Sequence, residues 1–142
     1  MIINDRDIIG IDYGEKRIGI ARIHPSVRIA EPLGVVDATS GNMFQQIENY
    51  IKKYEAVAVV IGLPRGLDGQ ETNQTAICRS FAAKAKKELS ADVYVIDEAG
   101  TSSAAKESLG LKPSAKTDVD ALAAGIILED FINQKDVSVL KV

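Results

Sequence analysis

At 142 residues with 46% hydrophobic content, the chain has enough apolar material for one domain, spanning 1–142, around a single core. Its one cysteine, Cys78, excludes an intramolecular disulfide and a multi-cysteine metal site, as expected of a reducing compartment. The net charge of −3 argues against a surface that grips nucleic acid everywhere, though it allows a local basic patch. The opening MIINDRDIIG has acids where a signal peptide has basic and then apolar residues, and no apolar run approaches the ~18 residues of a membrane span. A cytoplasmic protein without a membrane role is therefore expected.

Two β-rich runs, 8–13 and 17–23, are separated by a short polar link at Glu15 and Lys16, the spacing of an antiparallel hairpin. A third strand is predicted from Leu33 to Asp37, after a boundary at Pro32. From Asn42 to Tyr54, Met43, Phe44, Ile47, Tyr50, Ile51 and Tyr54 recur at helical steps. VAVVIG, Val57 to Gly62, reads as a strand buried on both faces because it does not alternate. The glycine loop LPRGLDGQET follows, then a helix on which Ile77, Phe81, Ala85 and Leu89 lie four apart. VYVID, Val93 to Asp97, is another buried strand, and TSSAAKESLG reads as a short helix capped by Thr101 and stopped by Gly110. A last helix is expected from about Asp118 to Ile132, and the tail DVSVLKV is either a short strand or a frayed end. This order predicts an α/β protein with a mixed central sheet, antiparallel at its start and parallel later, the order of an RNase H-like fold with helices on both faces.

Within the hairpin, Asp12 interrupts a run that otherwise belongs in the interior, where an ionised carboxylate must be paired, neutralised or bound to metal. Strand alternation puts Gly10, Asp12 and Gly14 on one face, with Arg17, Gly19 and Ala21 facing the same side from the second strand. Two readings stay open. Either Asp12 stands on a floor of small residues with room above it for a metal ion and a phosphate, or the glycines admit a closely packed helix and Asp12 is paired in the core. Glu98 stands at the C-terminal end of the VYVID strand, where α/β sheets place ligands, and Asp97 beside it should point elsewhere. Asp120 shares a helix face with Ala123, Ala124, Ile127 and Phe131, so it either looks inward or closes a capping box on Thr117. Asp118 heads toward solvent at the helix start.

Three carboxylates from a first strand, a later strand end and a final helix are what a two-metal phosphoryl-transfer site requires, with hard Mg²⁺ or Mn²⁺ selecting carboxylate oxygens. No histidine is needed, and His24, before Pro25, reads as a surface residue. The loop glycines at 62, 66 and 69 can turn backbone amides toward an anion, with Arg65 reaching a phosphate; equally, they can serve a tight strand-to-helix connection. Arg79, Lys84, Lys86 and Lys87 add positive charge on the next helix, usually no more than a solvated face.

These segments resemble the YqgF (RuvX-like) group, described as Holliday junction resolvases and pre-16S rRNA processing nucleases. The matching stretches are GIDYGEKRIGIA at 10–21, VVIGLPRGLDGQET at 59–72, FAAKAKKEL at 81–89, VIDE at 95–98 and DALAAGIILEDFI at 120–132. The resemblance implies an RNase H-like nuclease of structured RNA or branched DNA, a monomer or homodimer, with Asp12, Glu98 and Asp120 as both catalytic residues and metal ligands. Lys16, Arg17, Arg65, Gly66, Arg79 and Thr101 are the candidate phosphate contacts. One departure stands out: many members continue the acid with an arginine, a leucine and two threonines, whereas this chain reads Glu98-Ala99-Gly100-Thr101-Ser102. Arg17 or Arg65 would have to supply the missing cation. Two other classes compete. An ATPase of the actin and sugar-kinase type also carries an aspartate and glycines in its first hairpin, but closes two such domains over its nucleotide. A non-catalytic RNA-binding assembly factor would keep the fold without the chemistry.

Overall fold

The computed structural model describes residues 5–99, 116–133 and 139–142. Strands β1 (Ile8–Tyr13), β2 (Arg17–Ile23) and β3 (Glu31–Asp37) form an antiparallel meander. Helix α1 (Met43–Tyr54) then carries the chain back across the sheet to β4 (Ala58–Arg65), parallel to β1 on its other side. Helix α2 (Asn73–Glu88) leads to β5 (Asp92–Ala99), parallel to β4; helix α3 (Lys116–Asn133) follows, and β6 (Val139–Lys141) pairs antiparallel with β5. The resulting order β3-β2-β1-β4-β5-β6 is the mixed sheet the sequence predicts. The proposed helix at 101–110 lies outside the described residues.

Apolar residues alternate between two layers. Ile9, Ile11, Ile18, Ile20, Val59, Ile61, Leu63, Val93 and Val95 face α1 and α2 through Ile47, Ile51, Cys78, Phe81, Ala82 and Ala85. Ile8, Ala21, Ile23, Ala58, Val60 and Ile96 face α3 through Ala124, Ile127, Leu128 and Phe131. Burial on both faces is why β1, β4 and β5 read as unbroken apolar runs.

Several boundaries differ from the sequence reading. Strand β3 starts at Glu31 and passes through Pro32, which an edge strand tolerates because that side needs no ladder donor. Strand β4 continues through Pro64 and Arg65 into the predicted loop, and β5 takes in Glu98. Helix α3 begins at Lys116, so Thr117 is inside it and is not its cap. The capping box belongs instead to α2, where Thr72 and Thr75 exchange side-chain and backbone bonds. On α2 the inward stripe is Thr75, Cys78, Phe81, Ala82 and Ala85, with Ile77 only half-buried.

The open floor above Asp12 is not open along its length. Helix α3 lies directly on the glycines: a Cβ at Gly10 would sit 2.5 Å from Leu128, and one at Gly19 would sit 1.9 Å from the carbonyl oxygen of Asp120. Of the two readings of these glycines, close helix packing is the one the structure adopts.

Candidate active site

The chain leaves β1 toward β2 and β3 on one side and returns through α1 to β4 on the other, so the sheet reverses its winding between β1 and β4. The crevice beyond the carboxyl ends of strands at such a reversal is where open α/β sheets bind ligands. A cavity of about 190 Å³ opens there, lined by Asp12 and Tyr13 from β1, Gly62 and Pro64 from β4, and Glu98 from β5. Gln74 and Cys78 of α2 and Ile127 of α3 close its sides.

Glu98 alternates onto the α3 face with Tyr94 and Ile96, while Asp97 turns to the other face and accepts from Arg65 Nε and Nη2 at 3.0 and 2.8 Å. That divergence was predicted from strand alternation. Glu98 is buried, 6% exposed, and its Oε1 finds no hydrogen-bond partner among the described residues. Its aliphatic stem packs over Gly62, whose absent side chain makes the room: a Cβ there would lie 3.2 Å from Glu98 Cγ and 2.7 Å from Ile127. Loss of hydration, then the neighbouring Asp130 carboxyl and the charge of Asp12, push the Glu98 carboxyl up to about 9. Asp130 lies one helical turn beyond Ile127, and the sequence reading did not single it out.

Asp12 is half-buried at the end of β1, opposite Gly19 of β2. Its charge reaches the Cys78 thiol, which burial first and Asp12 second push up to about 11. Tyr13, whose hydroxyl is also raised by burial, stacks on Phe81 at 4.2 Å, and Phe81 in turn on Phe44 at 5.4 Å, fixing the wall between β1 and α2. Tyr13, Gln74 and Cys78 were not anticipated in the lining, because their convergence depends on how α2 docks.

Asp120 stands aside from this pocket. Its Oδ2 accepts from Arg17 Nε at 2.9 Å, with side chains 19% and 42% exposed. Among the described residues no three His, Cys, Asp or Glu side chains gather as a metal-binding group. The donor chemistry that is present, two convergent carboxylates with one buried oxygen lacking a partner, fits a hard divalent cation at Asp12 and Glu98.

The proposed phosphate contacts are placed unevenly. Lys16 is exposed at the hairpin turn. Arg65 is closed on Asp97 and Glu71, and Arg79 holds Glu71 through two bonds of 3.0 and 2.9 Å. The Gly66 and Gly69 amides donate within the loop, to the carbonyls of Gln70 and Gly66. The buried Thr75 hydroxyl bonds the Pro64 carbonyl and ties that loop to α2. Thr101 lies outside the described residues. His24 accepts from the Ser26 backbone at 3.2 Å on the far side of the hairpin, away from the pocket lining.

Comparison with known proteins bears on the family and the fold. The RuvX family, described as Holliday junction resolvase, matches residues 6–134. A Rickettsia bellii protein named "Putative pre-16S rRNA nuclease" is 35% identical over 138 residues, 94% of this chain and 90% of its own. A Chloroflexus aurantiacus protein of the same name is 36% identical over the same shares. Among solved structures, T. thermophilus RuvC in complex with Holliday junction substrate superposes with a TM-score of 0.57 at 20% identity. That match covers 95% of this chain and 99% of the other, a likeness of fold.

Proposed function

Since the chain belongs to the RuvX family, we propose that it is a divalent-metal-dependent endonuclease that processes the 5′ end of pre-16S rRNA in the cytoplasm. The observation that carries this reading is the meeting of Asp12 and the buried, incompletely bonded Glu98 at the sheet's switch point. A buried Glu98 oxygen with no hydrogen-bond partner among the described residues, in the same pocket lining as a second carboxylate, suits a hard cation better than a structural role. The names borne by the relatives support ribosomal precursor RNA as the substrate.

Asp12 and Glu98 would hold Mg²⁺ or Mn²⁺, with Asp120 completing the set. Such ions activate water for attack on phosphorus and offset charge on the leaving oxygen. This chain's own residues do the rest. The β1 and β5 backbones fix the two carboxylates, and Ile127 with the Gly62 backbone excludes water from one side of Glu98. Lys16 and Arg17 at the mouth meet the nucleic-acid backbone. Arg65 and Arg79 contribute by holding Glu71 and Asp97 in place.

A second reading, resolution of four-way DNA junctions, has its own support in the family description and in the fold shared with RuvC. Incubating purified protein with a precursor-rRNA fragment and with a four-way junction, with and without Mn²⁺, separates them. Cleavage of the RNA alone is the expected result; cleavage of the junction alone would reassign the substrate.

A further inference from the structure

Arg17 and Asp120 form the one ion pair among the described residues that joins a proposed metal ligand to a proposed phosphate contact. On β2, Arg17 and Gly19 point to the α3 face, and Gly19 is the hairpin partner of Asp12. The Asp120 carbonyl rests over Gly19, so the backbone of Asp120 is held beside the strand pair that carries Asp12. The base of Arg17 is fixed as well, its carbonyl accepting from the Gly14 amide at 2.9 Å.

The contact itself is open. Arg17 uses only Nε, and its two Nη nitrogens make no bond among the described residues. Arg65, in contrast, is spent on Asp97 and Glu71 through all three guanidinium nitrogens, and Arg79 on Glu71 through two. A guanidinium with its outer edge exposed can bind a phosphate through that edge. An ion pair this exposed is held weakly, so exchanging its partner is cheap.

We propose that Arg17 is an exchangeable counter-ion: it holds Asp120 until a phosphodiester takes its guanidinium, and the Asp120 carboxylate is then released toward the divalent ion. The proposal rests on the nuclease reading above and adds to it a coupling between nucleic-acid and metal binding. Each ligand takes one member of the pair and frees the other, so each raises affinity for its counterpart.

The test is binding without turnover. Affinities for a precursor-rRNA hairpin and a four-way DNA junction are measured by fluorescence anisotropy in chelator, for wild type, Arg17→Gln, Asp120→Asn and the double variant. Asp120→Asn frees Arg17 and should tighten binding of at least one probe by about fivefold, a coupling of the usual size. Arg17→Gln should weaken it, and the double variant should show no gain over Arg17→Gln alone. Calorimetric titration with Mn²⁺ should show tighter binding to Arg17→Gln than to wild type. Unchanged or weaker binding by Asp120→Asn, or a gain that survives in the double variant, would overturn the exchange. Thermal midpoints near wild type confirm folding, and Arg17→Lys serves as the charge-preserving form if Arg17→Gln unfolds. Absence of cleavage by wild type would count against the nuclease reading while leaving this cycle readable. Cleavage with a flat cycle would remove the exchange alone.

Discussion

Glu98 is the residue whose environment departs furthest from its sequence expectation of an acid at a strand end. Burial and two neighbouring carboxyls raise it to about 9, so in metal-free protein the folded state keeps a proton that the unfolded state releases near the ordinary value of 4.5. Its stabilising contribution is complete below 4.5 and is lost as pH rises through about 9. Glu98→Gln, which cannot ionise, should therefore raise the unfolding midpoint of the chelated protein at pH 8 and leave it unchanged at pH 4. A lower midpoint at pH 8 would refute the assignment. Cys78 offers a second check: with its thiol near 11, iodoacetamide should modify the native protein slowly at pH 8 and faster as pH climbs toward that value. Asp12→Asn should accelerate the reaction, because Asp12 is the second cause of the rise. Asp12 and Glu98 were legible in the sequence because a lone acid in an apolar strand, or at its carboxyl end, violates a local rule. Asp130 was not, since an acid one turn beyond an inward-facing isoleucine carries no local anomaly; only the docking of α3 brings it to Glu98.

At the scale of elements, the glycines of β1 and β2 set how close α3 can come. Gly19→Ala would drive a Cβ into the Asp120 backbone, which cannot swing aside as a side chain can. A loss of about 3 kcal/mol or more in urea unfolding is expected, accompanied by weaker activity because α3 carries Asp120. Gly41→Ala, which meets nothing within 4 Å, should leave stability within about 0.5 kcal/mol and is the control. Thr75→Ala should cost about 1–2 kcal/mol by removing both the α2 capping box and the bond to Pro64. Element identity was readable because buried parallel strands are apolar throughout and the helices keep a 3.6-residue period. Caps were less so. Thr117-Asp118-Val119-Asp120 has the form of a capping box but lies within a helix already begun, whereas the working box, Thr72-Asn73-Gln74-Thr75, has no acid to advertise it. Asp120 lies on the last helix, as the sequence predicts, but which partner it takes depends on β2 and α3 meeting across 103 residues of chain.

For the molecule as a whole, the net charge of −3 is distributed so that most arginines near the crevice are already paired with acids. Nucleic acid would thus be gripped by few cations. The logarithm of the binding constant should fall with the logarithm of salt concentration with a slope of only about −2 to −3, corresponding to roughly three phosphate contacts. A slope near −8 would mean that a basic surface not identified among the described residues dominates. The switch-point crevice, in contrast, follows from the order of strands and helices alone, which is why the fold and the place of that crevice were readable before their details. The most direct test of the account is cleavage of a precursor-rRNA fragment by wild type and Asp12→Asn, each with Mg²⁺, Mn²⁺ and chelator. Cleavage that requires both the metal and Asp12 is the predicted result. Equal cleavage by the two proteins, or tight metal-independent binding with no cleavage by either, would contradict it.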